Sequence, residues 1–138
     1  VGKTHLGLAI GRALMAKGRT VRWWFVPQLL DEIRAKFSPT QGQPQESIQA
    51  LMVEYALAPD WLILDDLGAE KSTDWARERL EMMIDYRYQH KKGLIVTMNV
   101  SPEALEVTLP RAKRRFRDAE GCQLVACTGQ DVGPRLRR

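Results

Sequence analysis

Trp61-Leu62-Ile63-Leu64-Asp65-Asp66 is a run of four apolar residues closed by two carboxylates. An unbroken apolar run does not suit a strand with one wet face, where apolar and polar side chains alternate. It reads as a strand buried on both faces, the form strands take in a parallel sheet covered above and below by helices. Leu94-Ile95-Val96-Thr97, after Gly93, repeats the pattern. Val21-Arg22-Trp23-Trp24-Phe25-Val26 is β-branched and aromatic and is predicted as an earlier strand.

Helical spacing fills the intervals. Leu6, Ala9, Ile10, Ala13 and Leu14 form a stripe that stops at Gly18. Pro27 suits the first turn of a helix whose stripe is Leu29, Leu30, Ile33 and Phe37. Residues 38–45 are polar with two prolines and read as a loop, followed by a helix marked by Ile48, Leu51, Met52 and Tyr55. Asp74 is expected to cap a long helix carrying Ala76, Leu80, Met83, Ile84 and Tyr88 on one face. Ser101-Pro102 opens a short helix, and a basic helical segment covers residues 111–118. Cys122-Gln123-Leu124-Val125-Ala126-Cys127 is expected as a last strand. Its two cysteines would face opposite sides about 16 Å apart, beyond disulfide reach, so both are expected as reduced thiols. Strands alternating with helices in this order give an α/β class, a three-layer α/β/α arrangement around a mainly parallel sheet.

The 138 residues suffice for one domain with a core and are too few for two. No apolar run approaches the ~18 residues that span a bilayer, so no membrane is expected. A basic-then-apolar leader is not seen either, and the expected location is cytoplasmic. The net charge of +4 is uneven: residues 111–138 hold eight Arg/Lys against three Asp/Glu. Such a basic end suits phosphate groups or an acidic partner.

Gly2-Lys3-Thr4 is the closing part of the phosphate-binding pattern G-x-x-x-x-G-K-[ST]. Glycine lets backbone N–H groups approach phosphate, lysine neutralises the outer phosphates, and threonine offers a hydroxyl to Mg²⁺. The helix that follows adds its positive end. As a tripeptide this is a weak signal, and Asp65-Asp66 strengthens it, because a Mg²⁺-holding carboxylate belongs at the end of a strand facing the loop. Asp65 is assigned to the metal and Asp66 to polarising the attacking water. Asn99 ends the next strand, where an amide can orient that water. Among Arg111, Lys113, Arg114, Arg115 and Arg117, one guanidinium is expected to serve as an arginine finger and the others as a solvated basic face.

These elements, in this order, resemble the DnaC/IstB-like branch of the AAA+ ATPases. Gly2-Lys3-Thr4-His5-Leu6 is similar to that branch's Walker A ending, and Leu62-Ile63-Leu64-Asp65-Asp66-Leu67-Gly68-Ala69-Glu70 to its Walker B and adjoining turn. Asp74-Trp75, Arg77-Glu78-Arg79-Leu80 and Asp85-Tyr86-Arg87-Tyr88 resemble its long helix, and Thr97-Met98-Asn99 its sensor 1. Arg111-Ala112-Lys113-Arg114-Arg115-Phe116 resembles its arginine-bearing helix, with Arg115 matching the finger. Gly129-Gln130-Asp131 and Arg135 resemble a closing stretch but depart from it, since Gln130 and Val132 stand where Pro and Tyr are usual.

The resemblance implies a P-loop domain of AAA+ type over residues 1–138, entered inside the Walker A loop with the first strand missing. It implies ATP held by Gly2, Lys3, Thr4 and His5, Mg²⁺ held by Thr4 and Asp65, and hydrolysis supported by Asp66, Asn99 and Arg115. The output implied is loading of a replicative DNA helicase, with single-stranded DNA as a further partner and ATP between like subunits. Two readings share the core: an ATP-binding helper in an IstB-type transposition system, and a small-molecule P-loop kinase. A third is a remnant that binds a partner without hydrolysis. Entered inside its loop, this chain by itself is expected to bind ATP weakly.

Overall fold

Three strands pair in parallel in the order β1-β2-β3: β1 (Val21–Phe25), β2 (Trp61–Leu67) and β3 (Gly93–Met98). This computed structural model describes residues 2–36, 50, 52–68, 73–104, 109–116, 122–123 and 125–127. Phe37, Ile48, Leu51, Ala69, Glu70, Arg117, Asp118, Leu124, the 129–131 stretch and Arg135 lie outside the described residues.

The central strand β2 is covered on both sides, as its unbroken apolar run requires. Leu62 and Leu64 enter a core shared with α2 (Val26–Lys36), α3 (Asp74–Gln89) and α4 (Pro110–Phe116), where Leu29, Ile33, Leu80, Met83, Ala112 and Phe116 are buried. Ile63 points the other way, against α1 (Lys3–Ala16). Among the described residues α1 therefore lies on one face and α2, α3 and α4 on the other, the layered α/β arrangement expected. Trp24 packs on the core, whereas Trp23 is exposed.

Below the sheet, the loops before β1 and β2 are tied reciprocally. Thr20 N–H donates to Asp60 Oδ2 at 3.0 Å and Asp60 N–H donates to Thr20 Oγ1 at 2.8 Å. The Thr20 N–H bond holds the Asp60 carboxyl below its ordinary pKa, because it favours the ionised form.

Several local expectations are corrected. The face of α1 on the sheet is Gly7 and Gly11, while Leu6 and Ile10 are 47% and 39% exposed. Ile63 and Thr97 lie beneath Gly7 at ordinary contact distance, whereas a side chain at Gly11 would begin 2.8 Å from Ile63 Cδ1, so it is Gly11 that lets the helix come close. Val26 begins α2 rather than ending β1. Thr73, in extended conformation, caps α3 through its hydroxyl to Ala76 N–H at 3.1 Å; Asp74 is the first helical residue and pairs with Arg77. Arg87, not Tyr88, completes the buried face of α3. Residues 53–57 form a π-helical turn, and Ser101 caps only a single 3₁₀ turn, Pro102–Ala104. The described residues of the cysteine run lie outside any strand, with Val125 exposed, and neither cysteine is in a disulfide.

Candidate functional site

The carboxyl ends of β1, β2 and β3 and the amino end of α1 meet around an open hollow of about 390 Å³. Gly2, Lys3, Thr4 and His5 line it from α1, Phe25 from β1, Asp65 and Asp66 from β2, and Thr97 and Asn99 from β3 and its exit. The structure thus gathers seven residues singled out in the sequence and adds Phe25 and Thr97. Arg115 does not line this hollow.

Gly2 sits in the left-handed region at φ 73, which a side chain would strain, and begins α1 without any side-chain cap. The first amides of α1 therefore keep their N–H groups without intrahelical acceptors, and no acidic residue stands in the first turn. The helix end is accordingly a positive site open to an anion, with the Lys3 ammonium beside it.

Alternation along β2 puts Asp65 on the same side as Ile63, under α1. There the Thr4 hydroxyl donates to Asp65 Oδ1 at 3.0 Å, joining positions 61 residues apart. Its separation from Oδ2 is 3.1 Å. Thr97 donates its hydroxyl proton to Asp65 Oδ1 at 2.6 Å and accepts the Asp66 N–H at 2.8 Å. The β2–β3 register slips between Leu64 and Leu67, and at this bulge Asp66 adopts φ 62. A bulge re-aims a side chain. Here the Asp66 carboxylate receives the Asn99 amide at 3.2 Å and faces the hollow.

Among the described residues no group of three His, Cys, Asp or Glu gathers as a metal cage. Mg²⁺ does not require one, since it takes one or two protein oxygens and completes its shell with phosphates and water. The converging hydroxyl of Thr4 and carboxylate of Asp65 are hard oxygen donors of that kind.

The comparisons with known proteins meet this geometry. The family described as IstB-like ATP binding protein matches residues 1–113. The chain belongs to that family. It is similar to the replicative helicase loader DnaC of Buchnera aphidicola subsp. Acyrthosiphon pisum, 22% identical over 108 residues, 78% of this chain and 42% of that protein. The crystal structure of the DnaC helicase loader superposes with a TM-score of 0.64 at 29% identity, covering 82% of this chain and 65% of that one. AMPPCP-bound DnaA from Aquifex aeolicus shares the fold, with a TM-score of 0.67 at 23% identity over 90% of this chain and 36% of that one. The chain spans about two fifths of the length of the curated DnaC relative it matches. The fold of this IstB-like chain is that of the AAA+ P-loop proteins, and its family, of the DnaC/IstB-like type, is one of ATP-binding proteins. No described helix is long and apolar enough to cross a membrane.

Arg115 of this chain lies on α4 and pairs with Asp85 of α3, Nη2 and Nε donating to Oδ1 at 2.9 and 3.1 Å. Its guanidinium lies 4.2 Å from the Tyr88 ring centroid. The hydrogen bond to Asp85 raises its pKa further, so it is a permanent cation. Arg111 and Arg114, on the same helix, are exposed.

Proposed function

We propose that this chain is part of an AAA+ ATP-binding domain that hydrolyses ATP and serves replication as a helicase loader of the DnaC type. The observation carrying the proposal is the Thr4–Asp65 hydrogen bond at 3.0 Å, which joins the phosphate-loop helix to the acidic end of the central strand. Around it, Gly2, Lys3, Thr4 and His5 hold the phosphates, with helix-end N–H groups and the Lys3 ammonium opposing their charge. Thr4 and Asp65 are the residues that would hold Mg²⁺, which, when bound, neutralises charge on the transferring phosphoryl group. Asp66 polarises the attacking water, and Asn99, already on the Asp66 carboxylate, helps to orient it. Arg115 acts on the nucleotide of a neighbouring like subunit. The DnaC relatives support a replicative helicase as a partner; a DnaA of the same fold bound to AMPPCP and single-stranded DNA supports single-stranded DNA as a second.

The test is ATP binding by calorimetry in the natural protein. Lys3→Ala is expected to abolish it, because the phosphates lose their nearest cation, while the fold persists by circular dichroism. Undiminished affinity in the variant would sink the assignment.

The family description itself favours one second reading, an ATP-binding helper of an IstB-type transposition system. The two share the ATP chemistry and part at their partners. ATP-dependent capture of duplex DNA without any helicase interaction would select the helper.

A further inference from the structure

By sequence, Thr97 ends the apolar strand Leu94-Ile95-Val96-Thr97 and opens Thr97-Met98-Asn99, with no chemistry of its own. In the structure it is buried at the end of β3, and its one hydroxyl touches both acidic residues of the site. A hydroxyl has one proton to give and lone pairs to receive. The proton goes to Asp65 Oδ1 at 2.6 Å, and a lone pair accepts the Asp66 N–H at 2.8 Å. Neither bond can run the other way, since an ionised carboxylate only accepts and a backbone N–H only donates.

Both ends of this bridge are needed. The bulge takes Asp66 out of the β2–β3 ladder, between the pairs Leu64↔Val96 and Leu67↔Met98. Its N–H would be an orphaned donor without the Thr97 oxygen. Asp66 also stands in the left-handed region at φ 62, which a residue with a side chain adopts only when its surroundings hold it there. At Asp65 the Thr97 bond is the shorter of the two hydroxyl contacts, 2.6 Å against 3.0 Å from Thr4. Thr4 can therefore turn its oxygen to another partner while Thr97 keeps the carboxylate aimed.

We infer that Thr97 is a positioning residue that sets the geometry of Asp65 and Asp66 together through its hydroxyl. The inference rests on the ATPase reading for its consequence in turnover, and on the geometry alone for its structural part. Two substitutions separate the hydroxyl from the methyl, which packs 3.7 Å from where a Gly7 side chain would begin. Thr97→Val keeps the methyl and loses the hydroxyl; Thr97→Ser does the reverse.

In the natural protein, Thr97→Val is expected to speed amide exchange at Asp66 at least tenfold. It should also lower kcat for ATP hydrolysis about ten- to hundredfold, as small misplacements of reacting groups do, with KM within about threefold. Thr97→Ser should restore both. Thr97→Ala set against Thr97→Ser gives the same comparison if the valine variant does not fold. Unchanged Asp66 exchange in Thr97→Val overturns the inference, as does a kcat loss that follows Thr97→Ser instead, which would assign the effect to the methyl on α1. A wild-type protein without turnover would defeat the ATPase reading alone, and Asp66 exchange would still decide the role of Thr97.

Discussion

Arg87 is fully buried, yet no carboxylate among the described residues hydrogen-bonds it. Its five N–H donors reach five backbone carbonyls: Gly93, Ala56, Leu57, Pro59 and Asp60, at 2.7–3.3 Å. The end of α3, the π-helical turn and the starts of β2 and β3 are thereby tied at one atom group, at the opposite end of the strands from the hollow. Burial lowers its pKa to about 10, so it remains charged at neutral pH. Arg87→Met should cost about 3–5 kcal/mol, as breaking buried charged networks does. Arg87→Lys should recover little, having three donors and no planar fork. Urea melts would measure both, and a methionine variant within about 1 kcal/mol of wild type would contradict this account. A base whose folded pKa is lowered gains folded stability only as pH rises past about 10. The loss on substitution should therefore be flat between about pH 6 and 9. The helical stripe did not mark this residue as buried, because a charged side chain on an apolar stripe violates the rule by which stripes are read.

At the scale of elements, β2 and β3 were legible because an apolar run bounded by turn residues has few other uses. The meeting of Gly2, Lys3, Thr4, His5, Asp65, Asp66 and Asn99 was legible too, since a helix start and two strand ends must share one edge of a parallel sheet. The orientation of α1 was not. Its leucines and isoleucine spell a helical stripe, but contact is made by Gly7 and Gly11, one turn apart, and a glycine leaves no hydrophobic signal. A side chain at Gly11 would begin 2.8 Å from Ile63 Cδ1. Gly11→Leu should therefore cost about 1–3 kcal/mol in this chain, as overpacking does. Ile10→Ser, on the outward face, should stay within about 0.5 kcal/mol. If thermal melts rank the two in the opposite order, the helix sits the other way round. Thr97 was illegible for a different reason: its bridge exists only because of a register slip, and register is a property of two strands.

For the whole molecule, the proposed function puts the arginine of one subunit at the nucleotide of a like neighbour. Arg115 is held by Asp85 and Tyr88, away from the hollow of its own chain. Arg115→Ala should leave ATP affinity within about twofold while reducing hydrolysis about a thousandfold, the scale of a lost arginine finger. Mixing it with Asp66→Ala should regain part of the turnover, because one variant supplies an intact site and the other an intact arginine. Mixed samples that stay inactive would remove the arginine from the neighbour's site.

The bulge in β2 has a consequence for parity. Were the strand regular, even positions would continue inward after Leu62 and Leu64, and Asp66 would be driven into the core between α2 and α3. The extra residue exchanges odd for even. Leu67 is 1% exposed and stands in the same core as Leu64, three positions earlier instead of two or four. Two consecutive carboxylates can therefore serve one hollow without either entering oil. An apolar strand that carries an acidic pair and then turns apolar again must change step at the pair, and the chemistry sits where it does so.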